Sequence, residues 1–396
     1  MTTGGHLTRT QELGLAVIAA VVTANAYYIH PIIGEVARHF GVSEARIGLV
    51  PALNQIALAT GIFFLLPLGD RISNRRLTII FVTGQTLSLA VMAVARDFTL
   101  FTIASTVLGF FTIAPYLLPA YASKRVAPER LGQVMALLTV GVILGILVAR
   151  VGAGIVAEQF GWRYVYFAAT GLMAMALAAL PFLLDPPAGE KTAAVPYLAL
   201  LTSLFPLARK YPEVMLSGTI QALNFASFIA IWLALALHLT SAEMGYGMDT
   251  VGYLAGIAAV SILSTPRLGR WADKVGPRKA RCGFAIVQLL GMLLMWPLGY
   301  SLPTLLVPLM LVNLVGPGID VASRMTFLSL APELRTRLTT LFVVLMFTGG
   351  GIGSIMGTWV YDHYNWAGTC ALLVCISLSV ACLSFFAKRR FGQAAA

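Results

Sequence analysis

Two stretches of this 396-residue chain are near copies: Leu66-Pro-Leu-Gly-Asp70-Arg71-Ile-Ser-Asn-Arg75-Arg76 and Gly269-Arg-Trp-Ala-Asp273-Lys274-Val-Gly-Pro-Arg278-Lys279. Asp70 and Asp273 stand 203 residues apart, and each stretch is a short basic knot between long apolar runs. Other pairs recur at almost the same offset. Ala127-Pro128-Glu129 returns as Ala331-Pro332-Glu333, and Gly161-Trp162 as Asn365-Trp366, each 204 residues on. A period of this size means one structural unit written twice.

The flanking runs say what the unit is. The chain is 58% hydrophobic and only 11% charged, against about 25% charged in soluble domains. That excludes an ordinary soluble core and, for the opposite reason, a disordered chain. A helix crosses a bilayer with about 20 apolar residues. Twelve segments qualify: 13–34, 45–66, 77–96, 98–121, 131–156, 162–184, 213–238, 249–266, 282–300, 302–326, 338–360 and 366–387. Barrel strands are short and alternate apolar with polar residues, whereas Leu77–Ala95 does not alternate. The expected fold is an all-α polytopic membrane protein of two six-helix halves. The expected division is 1–184, a linker 185–212 rich in Pro and charge, and 213–396. Six spans per unit make the halves parallel, related by an axis along the membrane normal.

Placing both termini on one side puts 21 Lys and Arg on that side and four on the other, namely Arg38, Arg46, Arg96 and Arg163; Arg150 and Arg324 fall within spans. Cytoplasmic loops carry the excess of Lys and Arg, so both termini are expected in the cytoplasm of a multi-pass inner-membrane protein. The net charge of +11 then needs no nucleic acid. The N-terminal stretch lacks the pattern of a cleaved signal, so the first span is expected to be retained. The four cysteines form no C-x-x-C pair, support neither a zinc site nor a disulfide framework, and are expected as small core filler.

These residues resemble the major facilitator superfamily over essentially the whole chain. Its loop signature, G-x-x-x-D-[RK]-x-G-x-[RK]-[RK], stands in full at Gly269, Asp273, Lys274, Gly276, Arg278 and Lys279. The first copy keeps Asp70, Arg71, Arg75 and Arg76 but has Leu66 and Ser73 for the glycines. Within the family the chain looks most like the twelve-helix bacterial drug and metabolite:proton antiporters. That likeness rests on Asn25 to Pro31, on Pro67 to Arg71, and on Gly145-Ile-Leu-Val-Ala-Arg150. Two departures touch export. Ser105, four residues before Gly109, stands where many efflux members have Arg, and the fifth segment lacks the usual Gly-Pro pair. The resemblance implies a central cavity lined by segments 1, 4, 7 and 10, and a loop motif acting as a conformational switch. The loop's own charges point the same way: the cations can meet Glu129 or Glu333 when the halves close on the inner side, with topology control alone as the alternative.

Helical spacing places one polar stripe on each of those four segments. They are Asn25 and Tyr28; Ser105, Gly109, Thr112 and Tyr116; Gln221, Asn224, Phe225, Phe228 and Trp232; Asn313, Pro317, Asp320 and Arg324. Polar groups in hydrocarbon need a partner or water, so the four stripes suggest a wet hollow holding solute; interhelical hydrogen bonding is the alternative. Charges inside spans are sharper signals. Asp320 and Arg324 stand one turn apart and can pair. Arg150 has no acid in its own span and is expected to meet an anionic solute, Asp320 or helix carbonyls. Asp320 leads as the proton-coupling group, with His30 and Glu35 as runners-up. Gly141 and Gly145 match the run Gly349, Gly353, Gly357 and are expected as sliding surfaces between halves or as simple tight packing.

No H-E-x-x-H, hydrolase elbow or P-loop is present, so neither an enzyme nor an ATP-driven pump is expected, and no cofactor. The partners expected are a small-molecule solute, protons and the lipid bilayer, for a monomer. The leading expectation is proton-coupled efflux of a small organic compound. The rival is proton-coupled uptake of a small, anionic metabolite.

Overall fold

The computed structural model describes residues 7–123, 125–185, 196–328 and 334–392. Among them every regular element is helical. Ten spans follow in order: α1 Arg9–Phe40, α2 Glu44–Gly69, α3 Asn74–Val94, α4 Phe98–Ser123, α5 Arg130–Phe160, α6 Trp162–Leu183, α7 Pro212–Leu239, α8 Met248–Val275, α9 Pro277–Leu298 and α10 Leu302–Leu328. The last apolar stretch, Arg337–Phe391, runs for 55 residues. That length is about 80 Å of helix, more than twice the roughly 30 Å of a hydrocarbon core. The stretch breaks at Asn365 (φ 52°, ψ −154°), giving α11 (335–364) and α12 (366–392). The twelve expected segments are therefore present.

The same hinge serves the first half. Gly161 (φ 93°, ψ 155°) separates α5 from α6 at the position that corresponds to Asn365, and a buried tryptophan, Trp162 or Trp366, follows each hinge. The basic loops differ in a way that explains the missing glycine. Gly276 turns the chain into α9 at φ 91°, which a side chain resists. Ser73 makes the equivalent turn at φ −57° and caps α3, its hydroxyl accepting from the Arg76 N–H. A 3-10 turn, Leu66–Asp70, precedes it.

Two spans are broken in the middle by proline, and α8 passes through a 3-10 stretch at Gly256–Ala259. Proline lacks an N–H and its ring crowds the carbonyl four residues back. Pro31 does this to Tyr27, so 25–28 form a turn in which the Tyr27 N–H donates to Ala24 O at 2.9 Å and the His30 N–H to Tyr27 O at 3.2 Å. Pro115 does it to Phe111, and α4 breaks at Thr112 (φ −75°, ψ 47°). In α10, Pro308 and Pro317 are accommodated without a break.

Between the halves, α2 runs along α11, α1 meets α7, and α5 meets the first part of α8, Met248–Ala259, before diverging from Val260–Val275. The side away from the termini is closed. The Ser354 hydroxyl donates to Gly48 O at 2.8 Å, and the Met248 N–H donates to a Glu158 carboxylate oxygen at 2.8 Å. Glycine lets backbones touch at these seams: a Cβ on Gly252 would lie 3.0 Å from Val151 O. Gly141 and Gly145 instead meet the Ala16 and Ala20 backbone of α1, and Gly349 and Gly353 meet Ala222 and Ala226 of α7. Those glycines weld each half internally. That is the tight packing expected of them as the alternative to a sliding surface; the glycines at the contact between halves are Gly48, Gly154 and Gly252.

Two short helices, Tyr197–Thr202 and Leu204–Lys210, precede α7. Phe205 packs on Phe63 of α2 at 6.3 Å between ring centroids.

Candidate functional site

Each half is organised around a buried glutamine that sequence reading overlooked. Gln85 of α3 accepts from the Asn25 amide at 2.9 Å and donates to the Thr112 hydroxyl at 2.7 Å. It thus ties the break in α1 to the break in α4. Gln288 of α9, 203 residues on, donates to Asn224 Oδ1 at 2.8 Å. Asn224 in turn donates to Gln221 Oε1 at 3.2 Å and to Gly316 O of α10 at 3.3 Å. Gly316 stands 204 residues after Thr112. The repeat offset was the signal that could have exposed both hubs. Asn25, Thr112 and Asn224 are thus bonded to neighbouring helices, Gln221 to Asn224 of its own helix, and all four are buried. Asn313 is buried and bonds back to Leu309 O at 2.8 Å. Ser105 and Gly109 face α2, where the Asn54 amide donates to Ser105 O at 2.8 Å. Tyr28 is buried at the end of the α1 turn.

The most unusual side chain is Arg150 of α5. It is 1% exposed, and among the described residues no carboxylate pairs with it. One guanidinium nitrogen, Nη2, stands 3.0 Å from His30 Nδ1. Its carbon lies 5.3 Å from the centroid of Tyr27, 4.8 Å from Phe228 and 4.5 Å from Trp232. Two of these rings belong to α7, so the cage bridges the halves. Among the described residues, of the three alternative partners expected for it, neither Asp320 nor a helix carbonyl bonds to it. His30, a runner-up for proton coupling, is buried in this cage. Glu35 sits at the surface in an ion pair with Arg38 at 2.8 Å.

Asp320 and Arg324 of α10 do pair. Arg324 Nε lies 3.0 Å from both carboxylate oxygens, and its guanidinium covers the Phe342 ring at 4.8 Å. The side chains remain 28% and 30% exposed, unlike the buried hubs. Tyr116, half-buried, packs edge-on to Phe347 of α11 at 6.1 Å. Phe225 and Phe228 stack at 5.6 Å with 18° between planes.

On the side of the termini, two basic side chains pair with acids of the helices that begin each half. Arg278 holds Glu213 of α7 in a two-pronged pair at 2.7 and 2.9 Å. Arg130 holds Glu12 of α1 at 2.8 Å. Both pairs lie within one half, so they brace each bundle rather than joining the two. Asp273, Lys274 and Lys279 are exposed, and Gly269 has room beside Val321, 3.7 Å from an added Cβ. Arg71 and Arg76 are exposed and Arg75 half-buried. Glu333 lies outside the described residues, as do the side chains of Asp70 and Glu129. A cavity of about 360 Å³ opens beside Arg278 and Lys279, lined also by Lys388 and Arg389. One buried cation, Arg281, was counted as a loop residue from sequence. It donates to Ser217 and Ser323 hydroxyls at 3.0 and 3.3 Å. Among the described residues no group of His, Cys, Asp and Glu could hold a metal ion. Cys282 and Cys370 fill the core, but Cys375 and Cys382 lie exposed on α12, which corrects the expectation for those two.

The sequence profile of the Major Facilitator Superfamily matches residues 15–256 and again 214–395. The chain is 26% identical to the uncharacterized transporter YgaY of Escherichia coli O157:H7, over 92% of each chain. It is 23% identical to the multidrug resistance protein MdtG of Escherichia coli, over 59% of this chain and 57% of that one. A crystal structure of the nucleoside transporter NupG superposes with a TM-score of 0.81 at 12% identity, covering 95% of this chain and 99% of that one. At that identity the likeness shows the fold alone.

Proposed function

Since this multi-pass membrane protein belongs to the major facilitator superfamily, we propose that it is a secondary active transporter that exports a small organic compound in exchange for protons. Two bundles, divided by the linker 185–212, rock about the hollow between them. The chain works as a monomer in the inner membrane with both termini cytoplasmic, the orientation favoured by its Lys and Arg. The side closed here is then the outer one.

The observation that carries the coupling is the Asp320–Arg324 pair, a carboxylate inside a span that keeps 28% of its surface open. An intramembrane acid that is both reachable and paired can take up a proton, release its arginine and rebind it. Efflux is supported by the similarity to MdtG and by the aromatic lining at Phe225, Phe228, Trp232 and Tyr116. The uptake reading for an anionic solute is favoured by one observation, the uncompensated Arg150.

The test is a solute screen in proteoliposomes under an imposed pH gradient. Asp320→Asn is expected to abolish gradient-driven accumulation while leaving solute exchange measurable. Full accumulation by Asp320→Asn would remove the pair from the coupling. In cells lacking the gene, export predicts retained compound and uptake predicts failed growth on a solute.

A further inference from the structure

The Arg150 cage leaves two N–H donors without an acceptor, and this says what is missing from it. Arginine carries N–H donors and no acceptor. His30 Nδ1, at 3.0 Å from Arg150 Nη2, must therefore be the acceptor of that bond. The ring proton then sits on His30 Nε2. That nitrogen is buried without a partner, and so is Arg150 Nε. Two orphan N–H donors and one full positive charge thus stand together at residues each 1% exposed. The other walls are rings: Tyr27 on α1, and Phe228 and Trp232 on α7. Ring faces attract a cation but neutralise no charge and accept no in-plane bond. A buried polar group without a partner is costly, and more so when charged.

We propose that the cage is the recognition site for a carboxylate joined to a flat, apolar body. The carboxylate would accept from Arg150 and, once the His30 ring gives up its Nδ1 bond and turns, from His30 Nε2, and the flat body would replace part of the ring contact at Phe228 and Trp232. Arginine matches a planar two-oxygen acceptor, which favours a carboxylate over a halide. The site spans α1 and α5 of one half and α7 of the other, so its occupant would bear on the contact between halves. This deepens the transport reading, in either direction, by naming the solute class. It does not depend on the coupling ion.

The test is equilibrium binding to the purified full-length chain in lipid nanodiscs with no gradient imposed, read by calorimetry and by tryptophan fluorescence. The probes are 1-naphthoate, its neutral amide 1-naphthamide, and decanoate, an acid without a ring. We expect naphthoate to bind at least tenfold more tightly than naphthamide. In Arg150→Gln that ratio should fall to about one. Arg150→Lys, which keeps the charge and loses the fork, should hold an intermediate ratio and covers the case in which the Gln variant does not fold. His30→Leu should weaken naphthoate severalfold and leave naphthamide unchanged. Equal binding of acid and amide by the unaltered chain would overturn the proposal, as would an undiminished ratio in Arg150→Gln. Decanoate binding as tightly as naphthoate would remove the flat-body part and assign the site to acyl chains. Because no gradient is used, failure of proton coupling in the Asp320 experiment leaves this result standing, and the reverse also holds.

Discussion

Gly48 offers a direct handle on the closed side of the bundle. Its backbone is ordinary, φ −58° and ψ −19°, so alanine fits the local chain. The difficulty is across the seam. An added Cβ would overlap the Thr358 hydroxyl and stand 2.8 Å from Thr358 Cβ and 3.0 Å from its methyl. Rotating the threonine exchanges hydroxyl and methyl but leaves Cβ in place, so α2 and α11 must separate. Overpacking of this kind costs about 1–3 kcal/mol. Losing the Ser354 bond to Gly48 O adds about 1 kcal/mol. Together Gly48→Ala should disfavour the closed arrangement by about 2–4 kcal/mol, a shift of roughly 30-fold to nearly 1,000-fold in population. The assay is electron–electron distance spectroscopy between labels at Arg38→Cys and Ala242→Cys, exposed on this side in opposite halves, with the four native cysteines replaced by serine. The variant should populate longer distances. Adding Thr358→Gly should restore the short ones, since it removes the atoms in conflict. A folded Gly48→Ala variant with an unchanged distance distribution would show that this seam does not close the far side. So would failure of the Thr358→Gly rescue.

Two further outcomes follow from the packing. Glu213→Gln leaves Arg278, 20% exposed, without its acid and should lower thermal stability by about 2–3 kcal/mol; Glu12→Gln should lose less, because Arg130 is 42% exposed and can rehydrate. Thermal denaturation in detergent reads both, and an equal loss would contradict the burial argument. Asn365→Gly should stabilise the chain by about 1 kcal/mol, because φ 52° with ψ −154° lies in a region nearly exclusive to glycine, whereas Asn365→Val should destabilise it; a lower melting temperature for the Gly variant would refute this.

The doubling, the span count and the pairing of Asp320 with Arg324 were legible because each depends on near neighbours or on a fixed offset. A period near 203 residues, runs of about 20 apolar residues and a four-residue spacing survive in any tertiary arrangement. What the charged loops touch was not legible. Arg278 finds Glu213 at a separation of 65 residues, and Arg130 finds Glu12 at 118, across helices whose rotation only packing determines. The polar stripes were visible as stripes, but their partners were not. Gln85 and Gln288 lie on spans not expected to line the cavity, and they absorb Asn25, Thr112 and Asn224 into the bundle interior.

The amino-acid order alone thus determined a membrane-spanning, duplicated helical chain of this family, since apolar run length and repetition are properties of the chain itself. Tertiary structure alone decided which polar groups are bonded and which are left wanting. Asn25 reads as one member of a polar stripe until Gln85 is placed against its amide, and Arg150 reads as a span charge without an acid until His30 and three rings enclose it. A side chain's free valence is a property of its surroundings. Those surroundings come from residues 60 to 120 positions away, brought near by helix packing and not by sequence spacing.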